Sequence, residues 1–204
     1  MSTDYAVERV FNEFFCKENF IDYLIVQTFF AVTDWPHNNT RMFRAITPNI
    51  DSDNPYNDGR WRFVFHDLDS AGSNPDVDLF PRLYNLHIDH PHHTQTSQRG
   101  WLQFNHIYKV FNNPGFTEVF VERALYVLDN YLYQDRLFDI HNEFTMRYMP
   151  LLPEMYNRFA RGGTQSSAIA NFHTHWLQLR RFIMVRDNIY REQLNTLLER
   201  LNLQ

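Results

Sequence analysis

Asp34 opens the run Asp34-Trp35-Pro36-His37-Asn38-Asn39, and a second group, His66-Asp67-Leu68-Asp69, closes a strand-like stretch that begins at Trp61. A carboxylate, an amide five positions later and another carboxylate at the end of a strand supply what a divalent metal and a nucleotide need for phosphoryl transfer. The transferred group passes through a transition state with charge on its peripheral oxygens, so an enzyme's main tasks are to hold the metal and to position the acceptor. Hard cations call for oxygen ligands, and Mg²⁺ keeps several waters and takes only one or two carboxylates. The sparse set Asn39 and Asp67 suits that demand, with Asp69 the next candidate if the register slips by two. Asp34 would then face an acceptor hydroxyl and receive or orient its proton. Asn38, Trp35 and Trp61 are supporting candidates, although tryptophans here are expected to pack rather than to form a substrate platform.

Such a site needs a loop and a strand held side by side. Thr3 or Asp4 can cap a helix running to about Phe15, and Phe20, Tyr23, Leu24, Gln27 and Phe30 recur at helical spacing in a second helix. Pro36 is expected to stop that helix and leave 34–39 in a loop. Weak alternation in Arg41 to Ile46 and clearer alternation in Trp61 to Phe65, with Asp58-Gly59 as a turn signal before it, predict a small antiparallel pair. The stretch 47–60 between the two strands is rich in Pro, Asp and Asn and reads as an exposed loop. Irregular structure is expected over 70–100. Helical periodicity then returns in Phe116 to Tyr133, Gln134 to Tyr148, Leu151 to Phe159 and, as one or two helices, Ala168 to Leu201.

Composition narrows the alternatives. The 204 residues, 44% of them hydrophobic, suffice for one domain spanning 1–204 with a sizeable core. A net charge of -5 without a run of basic residues gives no footprint for nucleic acid or for an anionic membrane. The apolar stretch from Phe20 to Val32 is interrupted by Asp22, Gln27 and Thr28, so it reads as a buried helix rather than a transmembrane segment. Cys16 is the only cysteine, which excludes an intrachain disulfide and a thiolate zinc cluster. A competing metal site lies in His87-Ile88-Asp89-His90-Pro91-His92-His93, where zinc or nickel would suit a hydrolase. His173 and His175, two apart on a helix, point to different faces and read as packing or surface residues.

The spacing from Asp34 to Asn39 equals that between the acid and the amide of the protein-kinase catalytic loop. Around it, Asn19-Phe20-Ile21-Asp22-Tyr23-Leu24, Thr33-Asp34-Trp35-Pro36 with Asn38-Asn39, and Asp58-Gly59-Arg60-Trp61-Arg62-Phe63 leading into His66-Asp67-Leu68-Asp69 resemble the CotH family of spore coat kinases. Phe120-Val121-Glu122-Arg123 and Leu179-Arg180-Arg181-Phe182 to Arg186 are similar to weaker helical signatures of that family. The resemblance implies an α+β, predominantly α-helical chain: the large-lobe portion of a protein-kinase-like fold with one small antiparallel β-hairpin. It implies ATP as co-substrate, Mg²⁺ or Mn²⁺, and transfer to Ser or Thr of partner proteins, often spore coat or surface proteins. It also implies that Asp34 is the catalytic-loop acid, Asn39 the metal-binding amide and Asp67 the metal-binding acid.

Departures from the kinase pattern set further expectations. Lys17 and Lys109 are the only lysines, neither lies in a Val-Ala-Ile-Lys context, and no Gly-x-Gly-x-x-Gly occurs. Val32-Thr33 stand where ordinary kinases have His-Arg. No nucleotide-binding residue beyond the metal set is assigned, the small amino-terminal lobe is expected to be absent, and the lobe is expected to transfer phosphate poorly alone. The competing readings are a non-catalytic coat or surface interaction module and, behind it, the histidine-rich zinc hydrolase.

Overall fold

The computed structural model describes residues 3–36, 39–84, 109–159 and 164–202. Its elements are α1 (Thr3–Arg9), which continues as a π-helical turn (Val10–Phe14), α2 (Lys17–Phe29), β1 (Arg41–Phe43), β2 (Arg62–Val64), α3 (Phe80–Tyr84), a 3-10 turn (Lys109–Asn112), α4 (Pro114–Asn130), α5 (Gln134–Tyr148), α6 (Leu152–Phe159) and α7 (Gln165–Asn202). The chain is α+β and predominantly helical, with one two-stranded antiparallel sheet among the described residues. Both strands are shorter than their sequence patterns, and the first helix loosens into the π turn after Arg9. The last helix is continuous. The histidine-rich 87–93 segment, along with Asn38, lies outside the described residues.

α2 is the centre of the core. Phe20, Ile21, Tyr23, Leu24, Ile25, Gln27, Thr28 and Phe29 are all buried, so the helix is enclosed on every side rather than along one stripe. Phe63 of β2 lies 5.3 Å from the Phe20 ring and 4.9 Å from the Tyr23 ring, while Phe111 and Phe120 meet edge to face at 4.9 Å. These aromatic contacts account for a core filled by bulky side chains.

The helix does not run on to Pro36. It ends at Phe29, and Ala31 takes a left-handed conformation with φ 51°. The Val32 amide donates to the Gln27 carbonyl at 3.1 Å and the Ala31 amide to the Thr28 carbonyl at 3.3 Å, the paired bonds of a Schellman cap. An alanine fills the place usually given to glycine, and Ala31 is fully buried. The stop is therefore set by capping, several residues before the proline that the sequence suggested.

α4 begins where Asn113 accepts the Phe116 amide at 2.8 Å and Pro114 occupies the first turn. α7 carries Phe182, Ile183, Arg186, Tyr190, Leu194 and Leu197 on its buried side, a three-to-four residue repeat that packs its carboxyl-terminal half against the core. Within that repeat Arg186 is fully buried. Its Nε donates to the Phe29 carbonyl at 2.6 Å, Nη2 to Thr28 at 2.6 Å, and Nη1 to Pro75 at 2.5 Å and Val77 at 3.3 Å. The guanidinium thus satisfies carbonyls that the end of α2 leaves open. Burial lowers its pKa from the ordinary arginine value to about 10.

Candidate functional site

The hairpin fixes the site by its register. Arg41 pairs with Val64 and Phe43 with Arg62, so the chain entering β1 lies beside the chain leaving β2. Asn39 and Asp67 are therefore neighbours, and the Asn39 Nδ2 donates to the Asp67 backbone carbonyl at 3.4 Å. The same nitrogen donates to Asp34 Oδ2 at 2.6 Å. Asn39 and Asp67 both adopt left-handed backbone conformations, with φ 59° and 52°. Asn and Asp tolerate that region better than other residues bearing a Cβ, and a left-handed residue turns the chain sharply.

Two supports hold the hairpin against α2. The Asn19 side chain, on the first turns of that helix, receives the Phe63 amide at 2.7 Å and donates to the Phe63 carbonyl at 3.2 Å, so it replaces a missing strand neighbour. Tyr23 stacks on Phe65 with ring centres 5.4 Å apart, and Trp35 meets Tyr23 edge-on at 5.9 Å. Burial pushes the Tyr23 phenol up to about 12. At the start of β2, Arg62 grips both oxygens of Asp58, at 2.8 and 2.9 Å, and donates to the Pro55 carbonyl at 2.6 Å. The Arg62 guanidinium, helped by Arg60, holds the Asp58 carboxyl well below the usual carboxylate range. Gly59, at φ +76°, sits against Pro48 and allows the turn between these groups.

The other side of the Asp34 loop is clamped as well. Arg82 of α3 donates to the Thr33 carbonyl at 2.8 Å, and the Thr40 hydroxyl donates to the Pro36 carbonyl at 3.2 Å. The Ser70 hydroxyl donates to Asp34 Oδ1. Beyond it the Gly72 amide donates to the Phe30 carbonyl at 2.7 Å, closing the turn that carries Ser70 onto the end of α2.

Asp34, Asn39 and the Asp67 backbone are thus brought together. The Asp67 and Asp69 side chains are exposed and carry no hydrogen bond or ion pair among the described residues. Among those residues no three His, Cys, Asp or Glu side chains form a metal cluster. The donor chemistry nonetheless fits a hard cation of low protein ligation. With its nitrogen committed to a carboxylate, the Asn39 amide keeps Oδ1 as its acceptor, and Asp67, whose backbone carbonyl that amide meets, carries an uncommitted carboxylate. Trp35 is 1% exposed and belongs to the core. Trp61 lies in a parallel bridge to Phe15, with the Arg44 guanidinium 4.8 Å from its ring centre. Trp61 is half-buried.

Sequence reasoning missed Ser70, Arg82 and Arg186, and it read no role into Asn19. Arg186 had a legible signal, a cation in phase with Phe182 and Tyr190 on an apolar stripe. Ser70 had only its place one residue after Asp69.

A family model described as CotH kinase protein matches residues 2–190 of the chain. Searches of curated proteins and of solved structures give no significant match.

Proposed function

The chain belongs to the CotH kinase family, and on that premise we propose that residues 1–204 form a single kinase-like lobe that transfers the γ-phosphate of ATP to a Ser or Thr hydroxyl of a partner protein. A spore coat or surface protein is the substrate class that the family suggests. The observation that carries the reading is the convergence of the Asp34 carboxylate, the Asn39 amide and the Asp67 turn across the mouth of the hairpin.

In this reading the Asn39 amide and the Asp67 carboxylate would hold Mg²⁺ or Mn²⁺, with Asp69 in reserve. When bound, the metal neutralises charge on the phosphate oxygens. Asp34 orients the acceptor hydroxyl and takes its proton as the bond from acceptor oxygen to phosphorus forms. The bond from phosphorus to the oxygen of ADP breaks in the same displacement, and ADP leaves with that electron pair. Asn39 and Ser70 each use one lone pair of the Asp34 carboxylate, and a carboxylate has further acceptor sites for the incoming hydroxyl.

The test is Asp67→Ala, read by Mg²⁺-dependent ATP binding and by phosphate transfer to dephosphorylated casein. Both are expected to be lost while the chain stays folded, because the replaced side chain is exposed and a left-handed alanine at this position costs only about 1–2 kcal/mol. Unchanged Mg²⁺-dependent ATP binding would refute the metal assignment. A folded wild-type chain that binds ATP and transfers nothing would instead identify a non-catalytic interaction module.

A further inference from the structure

We propose that Ser70 is a positioning residue for the transfer step: its hydroxyl, together with the Asn39 amide, locks the Asp34 carboxylate in the orientation from which it meets the acceptor. The inference rests on the phosphoryl-transfer reading and adds a residue to it.

Asp34 is held at both oxygens, each by a donor from a different segment. Asn39 reaches Oδ2 from the strand-entry side of the hairpin, and Ser70 reaches Oδ1 from the turn that follows β2. A carboxylate bound at one oxygen can still swing about its Cβ–Cγ bond; bound at both, its plane is fixed. Ser70 cannot readily drift, because its turn is tied down on each side. The Ala71 amide donates to the Leu68 carbonyl at 3.0 Å, and the Gly72 amide to the Phe30 carbonyl at 2.7 Å. Gly72 takes φ +69°, and a Cβ added there would meet the Leu179 side chain at 2.7 Å, so the turn is seated directly against α7.

The turn that carries Ser70 is continuous with Asp67 and Asp69. The chain therefore holds the acceptor-facing acid and offers the metal-facing acids from one short segment. A hydroxyl serving only to cap a turn would be expected to bond to nearby backbone; this one reaches a carboxylate 36 residues away.

Ser70→Ala and Ser70→Thr in the full chain test the proposal, with Mg²⁺-ATP and dephosphorylated casein as probes. Ser70→Ala is expected to lower kcat about tenfold or more, leaving the KM for ATP and the melting temperature within error of wild type. Ser70→Thr, which keeps the hydroxyl, is expected to recover most of the rate. Unchanged kcat in Ser70→Ala overturns the proposal while leaving the transfer reading intact. A parallel rise in KM and fall in melting temperature, unrelieved by threonine, reduces Ser70 to a structural turn residue and also overturns it. Phosphate recovered on Ser70 itself would make it an acceptor and refute the positioning role. A wild-type chain that transfers nothing removes both readings, since Ser70 then has no reaction to serve.

Discussion

Replacing Arg186 by methionine keeps most of the side chain's length and removes its five donors. Four backbone carbonyls receive those donors in the native chain. Thr28 retains the Ala31 amide and Val77 retains the Gln193 side chain, so the carbonyls of Phe29 and Pro75 lose the partner that serves them. Hydrogen bonds from a charged donor contribute about 1.5–3 kcal/mol each, which puts the loss of the three short ones at roughly 4–9 kcal/mol. Against this stands the cost of burying the cation. Its pKa falls from the ordinary arginine value to about 10, which corresponds to roughly 3 kcal/mol against the charged form. The net expectation is a loss of about 4 kcal/mol, within a range of roughly 2 to 6. With a urea slope of about 2 kcal/mol per molar, the unfolding midpoint drops by about 2 M. Arg186→Lys is expected to fall between the two, since one ammonium cannot reach both the end of α2 and the 75–77 segment. Urea melts followed by far-ultraviolet circular dichroism measure all three chains under identical conditions. A methionine variant within about 0.5 kcal/mol of wild type would show that these carbonyls are satisfied in some other way and that the guanidinium is not the cap of α2.

Two further outcomes follow from the supports of the hairpin. Asn19→Leu removes both hydrogen bonds to Phe63 and is expected to cost about 1–2 kcal/mol; it should also reduce phosphate transfer, whereas an unaltered urea midpoint would show that β2 is held by ring packing alone. Asp58→Asn bears on pH. The folded-state pKa of this carboxyl lies below its ordinary 3.8, so its contribution to stability is complete above that value and is lost as pH falls toward the folded-state value. Urea midpoints taken between pH 7 and pH 2 are expected to fall more steeply in wild type than in Asp58→Asn, and parallel curves would exclude the Arg62 pair as the source of acid sensitivity.

What could be read in advance depended on how far each interaction reaches along the chain. The Asp34-to-Asn39 spacing is local and can be seen directly in the sequence. Asp67 required one further step, the recognition that two alternating runs pair antiparallel, and the register of Arg41 with Val64 bears that out. The end of α2 was misplaced because Pro36 is a strong local signal and Ala31 is a silent one: nothing in an alanine announces a left-handed cap. Ser70, Asn19 and Arg186 bond to partners 36, 44 and about 157 residues distant, and such bonds have no periodicity to betray them.

The bonds of Asn19 and Arg186 both involve α2, and the Ser70 turn is tied to the carbonyl just past its end, which explains how a short hairpin can hold a chemically demanding site. Asn19, on the first turns of α2, seizes β2 at Phe63, and the Phe30 carbonyl just past the last turn receives Gly72. The segment 63–72 is therefore stretched alongside the helix between two fixed points, with Tyr23 stacked on Phe63 and Phe65 between them. A helix of 13 residues spans about 20 Å, and it acts as a rigid gauge for that segment. The left-handed turn at Asp67 and the Ser70 hydroxyl fall between the two anchors, while the Schellman cap directs the outgoing chain toward Asp34. Placement of the three acidic and amide groups thus depends on the length and capping of α2 more than on the pairing of three-residue strands. Arg186, which ties the end of that helix to the 75–77 segment, stabilises the gauge itself, so its replacement should loosen the site before it unfolds the domain.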